Sequence, residues 1–245
     1  MLINNVNAEN YGVVSTSFNF GMAEVTTYED WLKAAPSPIM YEQTVQYGTC
    51  VLETMVAAKT RNELENNISK LTAALTNSEV EFDSVTGSFV GFLTDRAIER
   101  LNACLSKVTF TLQGRRLAAM QERTFRTWGV TAAGGYNDLI VEGSADVPFI
   151  LTFTPLQTGG SLVLRINRNE YYQFNGLVAD TKYVLDTATG EFYSMPNGSV
   201  KNNEIDKYAE YSFPMLKAGN NNIGFTSSTI RMLDPVIIEV QGRWQ

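Results

Sequence analysis

Histidine is entirely missing from the 245 residues. That absence removes His-based triads, Cys–His dyads and the common zinc sites, while carboxylate and lysine chemistry stay open. Cysteine is nearly missing too. Cys50 and Cys104 are far apart and make no disulfide framework, so they read as small apolar side chains from a reducing cytoplasm. No run of about 18 apolar residues exists, so no membrane-spanning helix is expected. Met1-Leu2-Ile3-Asn4-Asn5 has neither the basic start nor the apolar run of a secretory signal. Charged residues make up only 18% of the chain, and the net charge of -7 is spread over both halves. Tight nucleic-acid binding needs a basic face to neutralise phosphates, and none is legible. Neither a P-loop nor a dinucleotide fingerprint occurs.

What is present is a well-stocked apolar set, 44% of residues, enough to build a core. The length suits one large β domain or two ordinary ones. Residues 1–20 alternate like strand. Residues 21–48 are irregular, with Tyr28, Trp31 and Tyr41, and are broken by Ala34-Ala35-Pro36-Ser37-Pro38. Strand character returns over 45–58. Thr60-Arg61-Asn62-Glu63 is then a capping box, followed by Leu64, Ile68, Leu71 and Leu75 on one helical face. The expected helix is 60–75. Residues 79–93 alternate again. Leu93 to Leu105 fits either a short helix or a twisted strand. Lys107 to Gln113 is a clean period-two strand.

Thr131 to Asn137 is small and nearly uncharged, and is the expected linker. Beyond it no convincing helix is legible. Short apolar runs occur at 148–153, 162–166, 171–174, 183–185, 191–193, 223–225 and 236–240. Turn residues stand between them, including Asn175-Gly176, Asn197-Gly198 and Asp186-Thr187-Ala188-Thr189-Gly190. Such spacing indicates a sandwich or jelly roll. The expected division is therefore 1–130, a linker at 131–137, and 138–245.

Candidate chemistry is sparse. Glu79 with Glu81, and Glu204 with Asp206, share strand faces but sit in no recognisable catalytic setting, and solvated strand edges explain them. Asp180-Thr181 and Asn202-Asn203-Glu204 lack the spaced ligands of a calcium loop. No catalytic, metal or cofactor residue is assigned. Arg115, Arg116, Arg123, Arg126 and Trp128, with Phe125 among them, mix cations and aromatics. They read as ion-paired surface over core aromatics, or as a protein interface. A loop as long as 21–48 is uncommon unless it does a job, and one such job is an arm reaching a neighbouring subunit. Tyr171, Tyr172, Phe174, Tyr183, Phe192 and Tyr193 suit sandwich packing, or stacking on a sugar.

The order strand, long arm, strand, capped helix and strands ending at Leu112 resembles one family. So do Val147-Pro148-Phe149-Ile150, the 184–191 hairpin, and Phe213-Pro214-Met215-Leu216 leading to Gly219-Asn220-Asn221-Asn222-Ile223 and a closing Gly242-Arg243-Trp244. The chain is similar, over nearly its whole length, to the distal tail proteins of long-tailed, non-contractile phages.

The resemblance implies a mainly β fold of two domains. The first would be a β-sandwich or split barrel with one helix and an extended arm over about 15–48. The second would be a galectin-like jelly-roll sandwich. It implies a ring, a hexamer, at the virion's tail tip, with a central opening for DNA. The ring would join the tail tube protein to the tail-associated lysin or tail-fibre hub, and in some members to a receptor-binding protein. Such a protein is structural, not an enzyme, and needs no cofactor, membrane or specific nucleic-acid contact. An acidic chain past which DNA slides suits that role. A cyclic assembly joins unlike patches. Phe18, Phe20, Tyr28, Trp31 and Ile39 are the expected arm or interface residues, and Arg115, Arg116, Arg123, Arg126 and Trp128 the second patch. The alternatives are a lectin-like, carbohydrate-binding adhesion module, a tail-tube subunit, and a carboxylate-based glycosidase.

Overall fold

The computed structural model describes residues 1–21, 25–30, 39–45, 47–125, 136–159, 161–168, 170–195, 201–210, 212–227 and 236–244. The chain forms two units, one of Met1–Ala118 with Trp244 and Gln245, the other of Ala119–Arg243. The passage from one to the other falls inside a single strand.

The first unit starts with β1 (Leu2–Ile3), β2 (Val6–Asn7), a 3₁₀ turn over Ala8–Tyr11, and β3 (Val13–Gly21). Next come β4 (Val25–Asp30), β5 (Ile39–Val45), β6 (Gly48–Ala57) and the helix α1 (Arg61–Leu75). Then follow β7 (Asn77–Glu81), β8 (Ser88–Asn102) and β9 (Leu105–Phe125). Strands β3-β6-β9-β8-β7-β1-β2 lie side by side in that order, each pair antiparallel. The uncertain stretch 93–105 is strand and hairpin, not helix. Its residues Thr94–Asn102 are exposed on both faces, so no burial pattern marks a period.

The helix forms where the sequence places it. The Thr60 hydroxyl accepts the Glu63 N–H at 3.2 Å. The Glu63 carboxylate reaches back to the Lys59 N–H at 3.0 Å, one residue earlier than the usual reciprocal bond. Leu64, Ile68, Leu71 and Leu75 are buried. They join Cys50, Leu52 and Val56 of β6 and Val108, Phe110 and Leu112 of β9 in one core. Each such side chain contributes roughly 1.5–3 kcal/mol by leaving water. The strand order opens with β3, and the sheet curls until side chains of β3 meet one just past β7, the fifth strand. Phe18 and Phe20 of β3 pack on Phe82, just past β7, at ring-centroid distances of 4.0 and 5.5 Å. No ladder closes the curl among the described residues.

Gly48, Gly114 and Gly91 stand in register across β6, β9 and β8, forming a row without side chains. A Cβ on Gly114 would lie 2.1 Å from the Val90 carbonyl oxygen, so the neighbouring backbone approaches too closely for any other residue.

The second unit contains β10 (Tyr136–Val141), β11 (Phe149–Phe153), β12 (Ser161–Ile166), β13 (Glu170–Asn175) and β14 (Lys182–Asp186). It continues with β15 (Glu191–Met195), β16 (Asn202–Asn203), β17 (Gly219–Ser227) and β18 (Val236–Trp244). One sheet runs β16-β15-β14-β11-β18 and the other β10-β17-β12-β13. Inward residues of both, among them Leu151, Phe153, Leu185, Phe192 and Ile238 facing Leu162, Leu164, Phe174 and Ile223, make one core. This is a β-sandwich. The 186–190 hairpin turns as its sequence directs: Asp186 caps the Ala188 N–H at 2.9 Å, and Gly190 takes φ 71°.

The Gly-Asn-Asn-Asn segment has a structural explanation. Asn221 is fully buried. Its amide oxygen accepts the Lys217 N–H at 3.0 Å, and its amide nitrogen donates to the carbonyls of Lys217 at 2.7 Å and Gly219 at 3.2 Å. One side chain thus satisfies three backbone groups that the bend would orphan. Residues 131–135 of the expected linker and the Asn197-Gly198 turn lie outside the described residues, and β10 begins at Tyr136.

Candidate assembly surface

β4 and β5 pair only with each other among the described residues, as an antiparallel ribbon from Val25↔Val45 to Asp30↔Ile39. The pair Gly21↔Thr49 ends the β3–β6 ladder, and Val25↔Val45 begins the ribbon. The two pairs are separated by the same number of residues on each strand. Within the ribbon the register shifts once, between Tyr28 and Glu29. A two-stranded ribbon has two edges whose N–H and C=O groups lack a strand partner, and such edges recruit another chain.

The proposed arm residues divide accordingly. Tyr28 and Ile39 lie in the ribbon, opposite Glu42 and Asp30 respectively. Trp31 lies outside the described residues. Phe18 and Phe20 lie at the ribbon's root in β3, half-buried, and their rings pack against Phe82 and, for Phe20, Phe89 at 6.0 Å.

The second group is split by the pleat of β9. Arg115 is exposed, its guanidinium 5.2 Å from the centre of the Tyr47 ring. Arg116 points to the other face and lies 5.1 Å from the Phe20 ring centre and 4.1 Å from that of Trp244. Arg123 is exposed further along β9. Phe125 is buried in the second core, 5.6 Å from Phe225. Arg126 and Trp128 lie outside the described residues. Arg115 and Arg116 therefore form no common patch, because adjacent residues of a strand point to opposite faces.

Sequence reasoning missed the companions of Arg115. Tyr47, Phe92 and Val90 are all exposed large side chains. Tyr47 meets Phe92 edge-on at 6.2 Å, and Val90 is the cross-strand partner of Arg115. An aromatic pair flanked by an arginine, beside the glycine row and at the ribbon's root, has the composition of an interface centre. The signal was available as outward-facing apolar positions on strands whose other face is core.

One carboxylate of each pair is engaged in structural contacts. Glu79 accepts from the Ser88 hydroxyl at 2.7 Å. Glu204 accepts from the Ser194 hydroxyl and from Lys207, both at 2.6 Å. Burial alone would raise the Glu204 carboxyl, but the Lys207 and Ser194 hydrogen bonds outweigh it and hold the group below its usual range. Among the described residues no cluster of three or more Cys, Asp or Glu is placed to hold a metal.

No family model matches the sequence, and no curated protein matches it. Solved structures do. The SPP1 Dit (gp 19.1) protein, described as a paradigm of the hub adsorption apparatus in phages infecting Gram-positive hosts, aligns with a TM-score of 0.73 at 9% identity. The alignment covers 100% of this chain and 98% of that one. Two structures of the phage P2 baseplate in its activated conformation also align. The one with Ca gives a TM-score of 0.41 at 9% identity over 92% and 90% of the chains, and the one with Sr gives 0.43 at 8% over 91% and 90%. The end-to-end likeness to the SPP1 protein shows that the two chains share a fold.

Proposed function

We propose that this chain is a structural hub of a phage tail tip. Copies of it close into a ring of six around an opening for DNA. The ring connects the tail tube to the tail-associated lysin or fibre hub, and offers the second unit outward as a docking surface for receptor-binding components. The observation that carries this reading is the match to a hub adsorption protein over the full length of both chains, in which both units and the helix take part. The ribbon supports it independently. A ring needs heterologous contacts, and a two-edged β4–β5 ribbon rooted beside Tyr47, Phe92 and Arg115 supplies a patch unlike the rest of the subunit. The net charge of -7 suits a wall that phosphates slide past.

The test is the native mass of the purified protein by light scattering on a sizing column, with negative-stain images of the peak. A mass of six or twelve subunits with an open centre supports the ring. A monomer at all concentrations counts against it and turns attention to a glycan array, where a lectin-like module would show binding.

A further inference from the structure

A second unpaired edge exists in the first unit. β8 is paired with β7 only as far as Phe92, and the Leu93 N–H still donates to the Thr76 carbonyl. From Thr94 to Asn102 the strand is laddered to β9 on one side alone among the described residues. This open edge forms one side of a groove of about 770 Å³, walled by Arg61, Leu64, Glu65 and Ile68 of α1.

The groove interrupts the core instead of bordering it. Arg96, Ile98 and Arg100 face the helix, opposite Phe110, Val108 and Ser106 of β9, all three of which are fully buried. The inward face of the sheet is thus apolar up to β9 and turns to Arg-Ile-Arg where β8 becomes the edge. Ile98 is 43% exposed there. Ser106 lines the groove with a buried hydroxyl that has no hydrogen-bond partner among the described residues. Glu65 is held by Arg61 at 3.2 Å and Arg100 at 2.8 Å, leaving the groove with a surplus of positive charge from three arginines against one carboxylate.

We propose that this groove receives the β4–β5 ribbon of a second copy of the chain, added as a further strand on the Thr94–Asn102 edge. The inference rests on the self-assembly proposed above and names the two surfaces that meet. Three features select this occupant. An open strand edge is completed by another strand, and the ribbon brings two free edges. The segment 21–48 carries Glu24, Glu29, Asp30 and Glu42 against the single Lys33, an acidic stretch within reach of three arginines. Its ladder positions also include Val25, Ile39 and Val45, apolar partners for the exposed Ile98.

The first experiment is hydrogen exchange on the full chain, followed from dilute monomer to assembled ring. Within 94–102 the amides that point away from β9 should exchange quickly in the monomer and slow at least tenfold on assembly. The second pairs charge reversals. Arg96→Glu with Arg100→Glu should raise the assembly midpoint concentration by tenfold or more with the monomer's melting temperature held. Adding Glu29→Arg and Asp30→Arg should restore it. A ring that forms while 94–102 exchange as in the monomer overturns the groove assignment and leaves the hub reading intact. Protection of the outward-pointing amides already in the monomer shows that the chain covers its own edge, and also overturns it. A chain that never self-associates overturns both.

Discussion

The ring of Phe18 lies 4.0 Å from that of Phe82, centroid to centroid, inclined by 33°. Phe18 lies on the first strand of the order and Phe82 just past the fifth, so this contact fastens the curl of the first sheet with side chains where no backbone ladder runs among the described residues. Phe82→Ala, at a buried position, is expected to cost about 3–5 kcal/mol. Phe18→Ala should cost less because its ring is half-buried. The double variant should fall short of the sum by about 0.5–1.5 kcal/mol, the coupling of a packed aromatic pair. Urea unfolding of the monomer measures all three. Strict additivity would mean that the rings do not support one another.

Asn221 makes a second, sharper forecast. Asn221→Leu removes the acceptor for the Lys217 N–H and the donor for two carbonyls while keeping the volume. A loss of about 1–3 kcal/mol is expected. Asn221→Asp keeps the acceptor but loses the donors, so it should rescue little. Thermal melts of the two variants separate a hydrogen-bonding role from mere space filling.

The pair Glu204–Lys207 sets a pH dependence whose signs follow from its shifts. Glu204 titrates lower in the folded chain than in the unfolded one. Its contribution is present above the unfolded carboxylate pKa and is lost as pH falls through the folded value. Lys207 is raised, first by its hydrogen bond to Glu204. Its contribution is complete below the unfolded ammonium pKa and is lost as pH rises through the folded one. Melting temperature plotted against pH should therefore fall at both ends. Glu204→Gln should lower the neutral plateau and flatten the acid limb. An unchanged acid limb would assign the acid sensitivity elsewhere.

The two thiols should separate cleanly. Burial pushes the Cys50 thiol up to about 12, and the residue is fully enclosed between β6 and the helix. Cys104 is half-buried beside the Lys59 carbonyl. Titration with a disulfide reagent at neutral pH should find one thiol that reacts in the native chain and a second that appears only with denaturant, at the rate of unfolding. Rapid reaction of both would contradict the packing of β6.

Much of this fold was legible where one face of an element meets core and the other meets water. The helix, the strand from Lys107, and the runs at 149–153 and 161–166 all have that contrast. Thr94–Asn102 lacked it, because an edge strand wet on both faces carries no period. The arginine-rich end of β9 was hard for a related reason. Arg115 and Arg116 look like one basic patch in sequence, yet each lies on an aromatic ring on its own side of the strand. The outward cluster of Tyr47 with Val90 and Phe92 of β8 comes from two places in the chain, and the Tyr47–Phe92 contact brings them together.

One consequence of β9 is mechanical. The stretch Leu105–Gly114 is clamped between β6 and β8, and the same strand leads without a break into the second unit at Ala119. Ladder hydrogen bonds run across the strand, so a pull on Ala119 along the strand axis loads both rows in shear. Many bonds then share the force at once instead of opening one after another like a zip. Tension entering the first unit by this route is resisted along the strand by two rows of bonds together.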